Sequence, residues 1–164
     1  MNLKIGMIKL SKNREKYLLE QYFKTKNKKH IPASISQFGS RDSDITDEDL
    51  FFITQYVTRI DRLAIGGSCV TEEGLQYLKK LQYVEYMDLK SMPLNDDNLD
   101  CILHLKDLEY LYIKFTGVSP KGISKILESL PNLKTLISQI PGNESHYIEI
   151  WQKQYPEIEL VISI

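Results

Sequence analysis

No run of apolar residues in this chain approaches the ~20 that cross a membrane as a helix, and the opening Met-Asn-Leu-Lys-Ile-Gly lacks the apolar stretch of a secretory leader. Cysteine is scarce. Cys69 and Cys101 are the only two, far apart and outside any metal-ligand spacing, and they read as reduced, small apolar residues of a cytoplasmic protein. Three histidines, His30, His104 and His146, lie outside the repeats or on parts of them that do not converge, His104 in an expected helix and His146 at a helix start. No Ser-His-Asp set, His-Glu-x-x-His motif or Gly-rich phosphate loop occurs. Gly66-Gly67-Ser68 follows a strand but carries no lysine, so it reads as the turn out of that strand. The expectation is a protein that is not an enzyme and uses neither cofactor nor metal.

Neither sign of charge dominates, since the 164 residues sum to −1. The distribution is uneven: residues 1–30 hold nine Lys/Arg against two acids, and residues 31–164 hold twelve against twenty. Part of that acidity has a local explanation. Asp47, Glu48, Asp49, Glu72, Glu73, Asp96 and Asp97 fall in expected first helical turns, where each gains about 0.3–1 kcal/mol from the helix dipole. The basic loop Lys24–His30 lacks interleaved aromatics and reads first as a solvated turn, with nucleic-acid binding as a lesser alternative. Charged residues at 26% and apolar residues at 42% fit one ordinary domain, long enough to bury about 70% of its unfolded surface.

What is present is a period. The stretch Val70–Leu89 reads as a helix start, a helix, a turn and a strand, and the same unit recurs on both sides of it. Aligned on the first apolar strand position, the units begin at Ile35, Ile60, Val84, Leu108, Leu133 and Ile158, in steps of 25, 24, 24, 25 and 25 residues. The fourth strand position is Phe38, Leu63, Met87, Leu111, Leu136 and Val161. The turn carries Ile45, Val70, Leu94 and Val118, and the helices carry Leu50/Ile53, Leu75/Leu78, Leu99/Ile102, Ile123/Ile126 and Ile148/Trp151. The last helix position, Val57, Leu81, Leu105, Leu130 or Tyr155, absorbs the difference in length.

The segments Ile60-Asp-Arg-Leu-Ala-Ile65, Val84-Glu-Tyr-Met-Asp-Leu89 and Leu108-Glu-Tyr-Leu-Tyr-Ile113 resemble the leucine-rich repeat family, in its helix-bearing ribonuclease-inhibitor-like and cysteine-containing forms. The resemblance runs from Ile35 to Ile164 and implies an α/β solenoid (horseshoe), with a parallel sheet on the concave side and helices on the convex side. One departure is plain: Val70, Leu94 and Val118 stand where the family often carries an asparagine, so apolar packing is expected to hold these turns.

Each unit is expected to turn its first, fourth and sixth strand residues inward. Thr46, Thr71, Asn95 and Ser119 are the expected helix N-caps, with Pro120 at the first helical position. Residues 1–34, comprising an apolar segment Leu3–Leu10 and a helix Asn13–Lys24 with Leu18, Leu19, Tyr22 and Phe23 on one face, are read as the cap of residues 35–164. The loop Ile140–His146 marks a distorted last unit.

The outward strand positions carry the functional expectation. They are Asp61, Arg62 and Ala64; Glu85, Tyr86 and Asp88; Glu109, Tyr110 and Tyr112; then Lys134, Thr135, Ile137 and Glu159. Five acids against two bases, around three tyrosines, predict an acidic protein-binding face whose partner carries a basic patch. A small standalone protein of this design resembles bacterial immunity proteins, which occlude a cognate toxin; an adaptor with an unrelated ligand is the alternative. The final strand Ile158–Ile164 presents an apolar edge in which Leu160 and Ile162 have no inward place, and it predicts a homodimer, a cover by the chain's own termini or an added partner strand.

Overall fold

The computed structural model describes residues 8–164, so most of the expected segment Leu3–Leu10 lies outside the described residues. The chain is α/β, with one six-stranded sheet in which every neighbouring pair is parallel and the strands follow in chain order. The strands are β1 (Ser34–Phe38), β2 (Arg59–Ala64), β3 (Tyr83–Asp88), β4 (Tyr110–Tyr112), β5 (Thr135–Gln139) and β6 (Glu159–Ser163). The helices are α1 (Lys12–Phe23), α2 (Asp47–Tyr56), α3 (Glu72–Leu75), α4 (Pro120–Ser129) and α5 (His146–Gln154). Register follows the repeat through β5: Ile35 pairs with Ile60 and Ile60 with Val84, while Leu63, Met87, Leu111 and Leu136 form one row.

One core runs the length of the sheet, from Leu18 and Leu19 on α1 to Trp151 on α5. The inward strand residues Ile60, Leu63, Val84, Met87, Leu108, Leu111 and Leu136 are wholly buried, as are Leu50, Leu75, Leu99 and Ile123 opposite them. At its start α1 is capped by Ser11, whose hydroxyl accepts the Arg14 N–H. The helix is tied to α2 by Arg14 Nε, 2.8 Å from Glu48 Oε2, and by the Tyr22 hydroxyl, 2.8 Å from Asp49 Oδ1.

The connections differ from expectation in the two middle units. Only four residues of α3 are α-helical before the chain tightens into a 3-10 turn over Gln76–Lys80, and the next unit has only the 3-10 turn Leu99–Cys101. Asn95 therefore caps no α-helix, and His104 sits in a turn. The cause is spacing. Leu75, Leu78 and Leu81, like Leu99, Ile102 and Leu105, are buried at strict three-residue intervals, which match the 3.0-residue turn. Leu50, Ile53 and Val57, and Ile123, Ile126 and Leu130, are spaced three then four, which matches 3.6.

The last strand also departs. Leu136 pairs with Leu160, not Val161, and Val161 is 44% exposed. The repeat register would have sent Val161 and Ser163 inward and left Leu160 and Ile162 outside. Strict alternation instead packs Ile158, Leu160 and Ile162 against the core, so burial of apolar surface decides the register.

A second seam joins neighbouring units where the connections begin. The Thr71 N–H and hydroxyl both donate to the Asp47 carboxylate, at 2.7 and 2.6 Å, and those of Ser119 donate to Asp96 at 2.9 and 2.5 Å. Between them the Asn95 side chain donates to Glu72 Oε1 at 3.3 Å. Each acid stands just after Thr46, Thr71 or Asn95 and holds the equivalent residue of the next unit. Gly74 and Gly122 make room, since a Cβ at either would overlap the Asp47 or Asp96 carboxylate. Apolar packing is thus not alone in holding these turns.

Each of the first four strands leaves the sheet through a left-handed residue at the same unit position: Asp42, Gly67, Ser91 and Phe115, with φ of 55°, 69°, 58° and 59°.

Candidate functional site

Parallel pairing sets equivalent side chains beside one another, about 4.8 Å apart. On the face turned away from the core one row runs Gln37, Arg62, Tyr86, Tyr110, Thr135, Glu159. The strand spacing brings the Tyr86 and Tyr110 rings into a stack with centroids 4.2 Å apart and planes 8° from parallel. The Arg62 guanidinium lies 3.9 Å from the Tyr86 centroid, so a cation and two rings form three successive layers. Burial, above all, pushes the Tyr110 phenol up to about 12.

The next row runs Ala64, Asp88, Tyr112, Ile137, Val161. Two of its expected surface members are buried: Ala64 is 5% exposed and Asp88 is 2% exposed. Asp88 is enclosed because Arg41, in the loop after β1, lies across it with Nε 3.0 Å from Oδ2, while the same guanidinium sits 4.9 Å from the Tyr112 centroid. The Lys90 N–H also donates to Asp88, at 3.0 Å.

The expected acid excess is thereby largely matched. Asp88 pairs with Arg41, Glu109 with Lys134 at 2.6 Å, and Asp61 lies 3.4 Å from Arg59, which in turn stacks 3.5 Å from the Tyr83 centroid. Glu85 and Glu159 have no cation partner among the described residues; Glu85 accepts from the Tyr83 hydroxyl and Glu159 from Thr135. Arg62, Tyr86 and Tyr110 form one contiguous group, with Glu85, Glu109 and Lys134 along its border. Arg41 links Tyr112 to Asp88 in the neighbouring row.

Arg41, Arg59 and Tyr83 belong to the face but escaped the strand pattern. Arg59 and Tyr83 had a signal, since each directly precedes the first apolar position of its unit and the two pair in register. Arg41 had none, because it reaches the site from a loop.

Elsewhere the reactive side chains stay apart. His104 Nε2 lies 2.9 Å from the Leu81 carbonyl, His30 Nδ1 lies 3.4 Å from the Thr25 hydroxyl, and His146 packs on Tyr147. Cys69 is exposed and Cys101 is buried, its thiol pushed up to about 12 by burial. In the basic loop, Lys28 is committed to Glu15 of α1. Among the described residues no three His, Cys, Asp or Glu side chains are grouped to hold a metal, and no helix is long and apolar enough to cross a membrane. No protein-family model matches the chain, and no curated protein matches it. The face thus carries two stacked rings, one ion pair whose carboxylate is buried, two exposed ion pairs, and two carboxylates without a cation partner among the described residues.

Proposed function

We propose that the chain is a non-enzymatic protein-binding module of the leucine-rich-repeat kind, a cytoplasmic solenoid whose tyrosine face meets its partner. The observation that carries this reading is the Arg62–Tyr86–Tyr110 stack, three large side chains lined up on the side of the sheet that the core does not use. Folding does not require rings there. Tyrosine offers rigid contact area with a polar tip, and it is enriched where interfaces concentrate their energy. Glu85 and Glu159, without cations, favour a partner that brings a basic patch to this side of the face. Occlusion of a cognate toxin, as in the immunity proteins the design resembles, is the specific form proposed.

The test is affinity capture from the native host with wild-type protein, followed by titration of the captured partner against Tyr110→Ala and Glu85→Lys. Tyr110→Ala should weaken binding by about 2 kcal/mol or more at an unchanged melting temperature. Glu85→Lys should slow association, an effect that fades at high salt. A partner that binds all three proteins equally refutes the assignment.

The outer edge of β6 is proposed as a second contact. It ends the sheet among the described residues, with no further strand to pair its outer backbone groups there, and a homodimer through this edge is the contact proposed. A monomer by sedimentation at tens of micromolar, with fast amide exchange along β6, excludes it.

A further inference from the structure

The left-handed residue that ends each of the first four strands is Asp42, Gly67, Ser91 and then Phe115. The first three are residues that suit or tolerate this backbone; a phenylalanine does not. Nor does the fold gain from it, because the Phe115 side chain is 57% exposed. A bulky ring held in an unfavourable conformation and pointed at water is an outlier that calls for a role outside folding.

Its surroundings specify that role. Lys90 and Lys114 flank the ring, their Nζ atoms 5.5 and 5.8 Å from its centroid. The two lysines lie on adjacent connections, joined by the Ser91 N–H bonding the Lys114 carbonyl at 2.9 Å. Neither amine meets a carboxylate within ion-pair distance among the described residues. Lys90 and Lys114 stand two residues beyond Asp88 and Tyr112, past the ends of β3 and β4, whereas Glu85 lies near the start of β3.

We propose that Phe115, Lys90 and Lys114 form a docking point for an acidic, linear segment of the protein partner, with an apolar side chain of that segment packed on the Phe115 ring and its carboxylates on the two amines. Charge complementarity selects this occupant. A nucleic acid is disfavoured because Glu85 and Glu109 border the same face and the chain carries no net positive charge. The inference rests on the reading that the tyrosine face binds a protein, and it adds that the partner is two-signed, basic toward Glu85 and acidic toward Lys90.

The experiment selects a displayed library of random linear peptides on the full chain. It then titrates one enriched peptide against wild type, Lys90→Glu/Lys114→Glu, Phe115→Gly and Tyr110→Ala, with duplex DNA as a parallel ligand. Enriched peptides should carry Asp or Glu beside an apolar residue. Their affinity should fall about tenfold or more in the charge-reversed variant and in Phe115→Gly, and should weaken with salt in wild type. Phe115→Gly should melt at or above the wild-type temperature, because glycine relieves the backbone. A lower melting temperature with affinity intact assigns the ring to folding and overturns the proposal. So do an unenriched library, peptides indifferent to Lys90 and Lys114, and DNA that binds through the same lysines. Loss of peptide binding in Tyr110→Ala alone overturns the docking point and spares the tyrosine face. Loss in the lysine and Phe115 variants with Tyr110→Ala unaffected supports the docking point and leaves the tyrosine face to its own test.

Discussion

Arg41 spans from the loop after β1 to Asp88 on β3, closing a buried carboxylate beneath a guanidinium that remains half open to solvent: the Asp88 side chain is 3% exposed and that of Arg41 is 41% exposed. The two partners are therefore unequal when one is removed. Arg41→Ala strands a buried carboxylate that keeps only the Lys90 N–H, and it should cost about 1–3 kcal/mol. Asp88→Ala releases an arginine that can turn to water, and alanine already occupies the adjacent place in the row at Ala64, so its cost should be smaller. Urea midpoints of the two variants decide this; equal losses contradict the asymmetry.

The acid–cap seam predicts non-additivity. Asp47→Ala removes both bonds to Thr71 and should cost about 1–2 kcal/mol. Gly74→Ala should also destabilise, because its methyl displaces the Asp47 carboxylate. Once Asp47 is alanine the added methyl meets less resistance, so the double variant should lose less than the sum of the singles. Strict additivity in thermal unfolding would falsify the seam.

The last strand offers a contrast of neighbours. Leu160→Ala removes a side chain packed on the core, whereas Val161→Ala trims one that faces outward. The first should cost clearly more, and the second should stay within about 0.5 kcal/mol. Leu111→Ala, at a wholly buried inward position, should cost about 2–5 kcal/mol and sets the scale. The reverse order at 160 and 161 would restore the uninterrupted repeat register.

Alkali should loosen the fold. The Tyr110 phenol is raised from 10.0 to about 12, and the Cys101 thiol from 9.0 to about 12, both first by burial. In each case the unfolded chain ionises first and binds fewer protons than the folded one, so stability is full below about pH 9 and falls as pH climbs toward 12. In Cys101→Ala the decline should begin about one unit later, where tyrosines start to ionise. Denaturation midpoints that stay level across this window contradict both shifts.

The parallel sheet was legible because six apolar positions recur at nearly constant steps, and no other element tolerates that register. The 3-10 connections were equally legible and went unread: the interval from Leu78 to Leu81 is three, while that from Ile126 to Leu130 is four. The slip in β6 required weighing Leu160 and Ile162 against Val161 and Ser163, a comparison of buried area that a fixed repeat overrides. In the candidate site, Arg62, Tyr86 and Tyr110 followed from strand alternation. Asp88 could not be placed that way, because its burial depends on Arg41, a long side chain arriving from a loop whose path no local pattern encodes.

The two seams between units have a mechanical consequence. Strand pairing alone would join each unit to the next along one line, and a joint of that kind flexes like a hinge. The Asp47–Thr71, Glu72–Asn95 and Asp96–Ser119 bonds fasten the same neighbours along a second line, where the connecting segments begin. A body pinned along two lines resists both splaying and twisting. Tyr86 and Tyr110, mounted on adjoining units, should then keep their spacing before any partner arrives, so that contact with the rings forfeits little motional freedom and more of the contact energy remains as affinity.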